Sequence, residues 1–134
     1  MKLFRAVAVL HAVVVCAQPV LAGIYLNGEG SAGRIHEVAG LTASSLCLVQ
    51  LALAGLTWRT TRLLWPILLS AALLTGEALM VHAGYGRELA LHVPLGTVVV
   101  AGSIVCAAWA VRRTAVAACR AWWRPDRACS ASRA

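Results

Sequence analysis

Three stretches of this chain, Ala6 to Gly28, Val38 to Trp58 and Leu89 to Val111, contain no Asp, Glu, Lys or Arg, and a fourth, Leu63 to Ala83, contains one acid, Glu77. Each is long enough to cross about 30 Å of hydrocarbon, which takes roughly 20 helical residues. Helices satisfy their own backbone hydrogen bonds in lipid, and these runs are too long for barrel strands. With 60% hydrophobic and 13% charged residues in a chain of 134, a soluble core could not hide the apolar side chains. The expectation is an all-α membrane protein with four transmembrane helices spanning residues 6–28, 35–58, 63–83 and 89–111. The short connections between them predict an up-down-up-down bundle.

Orientation follows from Lys and Arg, which are retained on the cytoplasmic side of span ends. Lys2, Arg5, Arg59, Arg62, Arg112, Arg113, Arg120, Arg124, Arg127 and Arg133 fall on one side, and only Arg34 and Arg87 fall on the other. Both termini are therefore expected in the cytoplasm. Trp58, Trp65 and Trp109 then lie at cytoplasmic span ends and Tyr25 and Tyr85 at outer ends, as interfacial aromatics should. A signal-peptide reading, with cleavage after Ala22, would leave three spans, but the apolar run is long for it. The net charge of +7 is accounted for by topology and does not call for nucleic acid. Residues 112–134 read as a basic cytoplasmic tail, interfacial through Trp122 and Trp123 and disordered beyond Pro125. Cys16, Cys47, Cys106, Cys119 and Cys129 show no C-x-x-C spacing and read as small packing residues.

The chain also carries an internal echo. Val20-Leu-Ala-Gly23 closes span 1 and His36-Glu-Val-Ala-Gly40 opens span 2; Val81-His-Ala-Gly84 closes span 3 and His92-Val-Pro-Leu-Gly96 opens span 4. Two repeated helix pairs are the expected origin.

That echo singles out the histidines. At 100° per residue, His36 stands above Gly40, Ala43, Cys47 and Gln50, and His92 above Gly96, Val99, Ser103 and Cys106. Small residues on such a face also serve plain helix packing. A glycine four residues below a histidine, however, leaves room for a flat macrocycle. The rise per residue puts His36, His82 and His92 at one level, roughly 12 to 15 Å outward of the midplane. Spans 2 and 4 occupy opposite corners of a simple bundle, so His36 and His92 are expected to face each other and suit the two axial positions of a b-type haem iron. Arg34 and Arg87 lie where they would pair with propionates, and His82 is a supporting residue or alternative ligand. A zinc or copper site using the three imidazoles is the competing metal reading. A cofactor-free accessory subunit of a larger membrane complex is the competing reading without any metal.

Four polar groups fall inside the spans. Depth pairs His11 with Gln50 and Gln18 with Glu77, since buried polar groups in lipid need partners. Glu77 suits proton relay, contact with a quinone-like headgroup, or a protonated acid bonded to Gln18. One redox centre at one face cannot carry electrons across a membrane alone. The expected roles are electron transfer to a partner, haem handling or sensing, without catalysis of its own. The expected partners are the bilayer and another membrane protein or a second copy.

Four spans with a histidine opening spans 2 and 4, each preceded by a helix closing in a small-residue turn, resemble one four-helix half of haem A synthase and small four-span bacterial membrane proteins of unassigned function. The likeness covers residues 6–111 and implies a bacterial plasma-membrane location, with His36 and His92 at the haem-ligand positions. The synthase has two such halves and an acid one turn before its first histidine, where this chain has Gly33. The likeness therefore implies haem binding and not oxygenase chemistry.

Overall fold

The computed structural model describes residues 1–122, with side chains through residue 113. They form four helices, α1 (Lys2–Leu26), α2 (Gly30–Thr61), α3 (Trp65–Tyr85) and α4 (Leu89–Trp122). Each is long and apolar enough to cross a membrane. The protein is a multi-pass membrane four-helix bundle.

Helix ends depart from the uncharged runs in an instructive way. Helix α1 begins at Lys2 and α2 at Gly30, because a helix does not stop where hydrocarbon does; charged end turns simply enter the headgroup layer. Helix α4 continues past Val111 to Trp122, since the segment is rich in Ala and Arg and has no Gly or Pro to stop it. Residues beyond Trp122, including the expected disordered tail, lie outside the described residues. The turns use local chemistry. Gly28 adopts φ 100° between α1 and α2, a conformation that penalises any Cβ. Arg62 caps α2 in the left-handed region, and Pro66 in the first turn of α3 fixes the restart.

Helix α1 packs against α2 and α4, and α3 packs against the same two, so α1/α3 and α2/α4 are diagonal pairs. Large apolar side chains point outward, Leu3, Leu56, Leu68 and Val98 among them, while the interior holds small residues around Ala8, Ala43, Cys47, Ala54, Cys106 and Ala110. That inversion suits lipid, where helices associate through close packing and not through water exclusion. The end where α1 begins is plugged by aromatics. Trp109 meets Phe4 edge-on at 6.3 Å and Trp65 at 4.4 Å, and Arg113 lies 5.6 Å from the Trp109 ring.

Close approach is sharpest between α3 and α4. A Cβ at Gly76 would stand 3.0 Å from a Val99 methyl, and valine cannot easily turn away. Gly76→Ala is expected to destabilise by about 1 kcal/mol through overpacking, read as a lower midpoint when the purified protein is titrated with SDS. An unchanged midpoint would mean that α4 yields at no cost.

Candidate functional site

At the opposite end the bundle opens. His36 in α2 and His92 in α4 meet across the diagonal, ring centroids 6.2 Å apart and planes inclined at 58°. Both expected stripes face inward: Ala43, Cys47 and Gln50 below His36 are buried, as are Val99, Ser103 and Cys106 below His92. Between them lies a cavity of about 670 Å³ lined by both histidines, Gly40, Gly96, Gln18 and Glu77, among others. A volume of that size falls within the ordinary range for ligand and cofactor sites, roughly 300 to 1,000 Å³.

The two imidazoles are held differently. His92 Nδ1–H donates to the Met80 carbonyl at 2.8 Å. A carbonyl can only accept, so Nδ1 carries a proton, and in the neutral imidazole Nε2 then keeps its lone pair. Gly84 makes this possible, because a Cβ there would lie 3.3 Å from the His92 ring. The repeat is not exact at this point, since the matching Gly23 has nothing within 4 Å. His36 Nδ1 is buried beside the Gln18 backbone but makes no hydrogen bond of good geometry. The room above the two cavity glycines is taken by movable side chains: Gln18 Oε1 lies 3.7 Å from a Cβ at Gly40, and Met80 Cε lies 3.1 Å from one at Gly96. Across the rim, Tyr85 O–H donates to Glu37 at 2.6 Å and ties α3 to α2.

His82, Arg34 and Arg87 are exposed and are not among the residues lining the cavity. His82 thus stands apart from the two facing imidazoles.

Deeper in, the polar partners differ from those expected by depth. His11 pairs with Glu77, Nε2 to Oε1 at 2.6 Å, across the α1/α3 diagonal. Gln50 donates instead to Ser70 Oγ at 3.0 Å and to Cys106 Sγ at 3.6 Å. Gln18 does not bond Glu77, and its amide nitrogen has no partner. The correction has a simple cause. Depth locates a residue to about one helical turn, and His and Glu side chains each reach that far along the axis. Which faces converge on the axis then decides the pairing. Ser70 was missed, although it lies seven residues before Glu77 and so shares its helix face. Cys47 also belongs here: one ligand atom each from His11, Cys47 and Glu77 lies within 4.8 Å of the others.

The fold and site define a class, a four-helix membrane bundle with a cavity capped by two imidazoles and floored by a buried acid. No protein-family model, curated protein or solved structure matches the chain.

Proposed function

We propose that this protein binds one b-type haem through His36 and His92 near the outer face of a bacterial plasma membrane, with both termini cytoplasmic, and serves electron transfer, haem handling or sensing. The observation that carries the reading is the facing of the two imidazoles at 6.2 Å, with His92 held through Nδ1 by the Met80 carbonyl. Metal–imidazole bonds of about 2.0 Å put the ring centroids of two opposed ligands roughly 6 to 6.5 Å apart. A ligating histidine is typically held by a hydrogen bond from its other nitrogen, the part that the Met80 carbonyl plays for His92.

The remaining residues fit the group. The buried Nδ1 of His36 makes no hydrogen bond of good geometry, although the Gln18 backbone lies beside the ring, so the imidazole is held loosely enough to turn toward a ligand. Gly40 and Gly96 clear the inner faces, and the unbranched Met80 and Gln18 side chains that now occupy that room can swing aside. Arg34 and Arg87 are exposed and outside the cavity lining, and pairing with the propionates would draw their long side chains toward it. Bound there, haem supplies one-electron chemistry at one face only, so the protein would exchange electrons with a partner on that side.

The test is a visible spectrum of detergent-purified protein from haem-replete cells, before and after reduction. Wild type should show low-spin bis-histidine bands. His36→Ala and His92→Ala should each abolish or shift them, whereas His82→Ala should leave them in place. A colourless wild-type preparation, or bands surviving both ligand substitutions, would overturn the assignment.

A further inference from the structure

Below the cavity, three helices converge on a second set of groups that the haem reading leaves unused. We propose that His11, Cys47 and Glu77 form a buried site for one divalent transition-metal ion, with zinc the best match.

Each helix supplies one donor, His11 from α1, Cys47 from α2 and Glu77 from α3, and the donor atoms lie within 4.8 Å of one another. Imidazole, thiolate and carboxylate together are a zinc-type donor set, and the thiolate argues against magnesium and calcium. All three side chains are secluded, at 0%, 0% and 5% exposure. Their hydrogen bonding is incomplete. His11 Nδ1 and Glu77 Oε2 make no hydrogen bond, and neither does the carbonyl oxygen of the adjacent Gln50. Buried polar atoms are rarely left so, and three in one cluster point to something that completes it.

Charge supports the same conclusion. A thiolate and a carboxylate contribute two negative charges, which a divalent ion cancels, with the imidazole neutral. The loaded site then carries no net charge in a medium where uncompensated charge is costly. Loading is a ligand exchange without electron transfer. The Cys47 thiol gives one proton to water as the sulfur–metal bond forms, and the overall neutral His11–Glu77 pair gives up a second as its hydrogen bond opens, so that one divalent ion enters and two protons leave. With bonds of about 2.0 to 2.3 Å, tetrahedral donors stand roughly 3.3 to 3.8 Å apart, so the 2.6 Å His11–Glu77 contact must widen while the wider donor spacings, at most 4.8 Å, draw in. Glu77 lines the cavity, which gives the ion a way in and leaves the fourth position for water. Before loading, Cys47 Sγ donates to the Ser70 carbonyl at 3.5 Å, a bond that ends when the thiol proton leaves, and Gln50 donates to the Ser70 hydroxyl at 3.0 Å and so fixes that side chain beside the site.

The experiment uses the full chain with Cys16, Cys119 and Cys129 replaced by Ser, so that no exposed or tail thiol competes. Purified protein is stripped with chelator, dialysed against zinc and washed; metal per chain is counted by atomic emission, and the zinc shell is read by X-ray absorption. One zinc per chain is expected, with one sulfur at about 2.3 Å. Glu77→Gln and Cys47→Ser preserve size and hydrogen bonding, and each should drop the count at least tenfold with helicity unchanged. His36→Ala combined with His92→Ala should leave it at one, which separates this site from the haem reading. No zinc in the starting protein, a shell without sulfur, or full occupancy in either ligand variant would overturn the proposal.

Discussion

His11→Ala is expected to cost about 2 to 3 kcal/mol, the largest loss from any single interior truncation. Removing one partner of a buried ionisable pair costs about 3 to 5 kcal/mol in soluble proteins, because the other is left buried and uncompensated. Here the abandoned group is Glu77, 5% exposed and with its second oxygen already unpartnered. In a bilayer the separated helices retain part of that penalty, so the loss falls to the low end of that range or about 1 kcal/mol below it. The diagnostic is rescue. Replacing His11 and Glu77 together by Leu removes both polar groups, and the double variant should return to within about 1 kcal/mol of wild type. SDS titration of chelator-stripped protein followed by circular dichroism measures all three. If the double variant is as unstable as His11→Ala, shape and not the pair governs this layer.

Phe4→Ala should come next, at about 2 kcal/mol. Phe4 is 1% exposed and packs edge-on against Trp109. In a soluble protein the loss would include transfer of the ring out of water. In a membrane the separated helix keeps Phe4 in lipid or at the headgroups, so that share largely vanishes. What remains is the void, about 24 cal/mol for each Å³ left unfilled, for a side chain about 90 to 100 Å³ larger than alanine. The same titration reads it. A loss above about 4 kcal/mol would indicate that water reaches Phe4 in the unfolded state.

These two contacts also mark what the sequence could and could not tell. The spans were legible because charge-free length is a direct physical demand of hydrocarbon. The meeting of His36 and His92 was legible because three constraints agreed: depth, helix face and the diagonal placement of spans 2 and 4. His11 was different. Depth alone speaks for it, and depth favours Gln50 over Glu77, which lies about two helical turns away along the axis. Nothing local to residue 11 shows that α1 turns this histidine toward α3 and not toward α2. The same holds for Gly84, whose service to His92 depends on how α3 and α4 sit together. Local pattern reaches as far as helix faces; the choice among residues converging on one axis belongs to the assembled bundle.

The His11–Glu77 contact joins residues 66 apart in the chain. Translation at about 5 to 20 residues per second means that roughly 3 to 13 s pass between the making of the two. During that interval α1 and α2 sit in the membrane with an imidazole and an amide that have no final partners. The polar groups of the first hairpin must therefore find solvent or temporary partners until α3 is made. Any factor that shields His11 while α3 is still being made would raise the yield of finished bundle without altering the finished bundle itself.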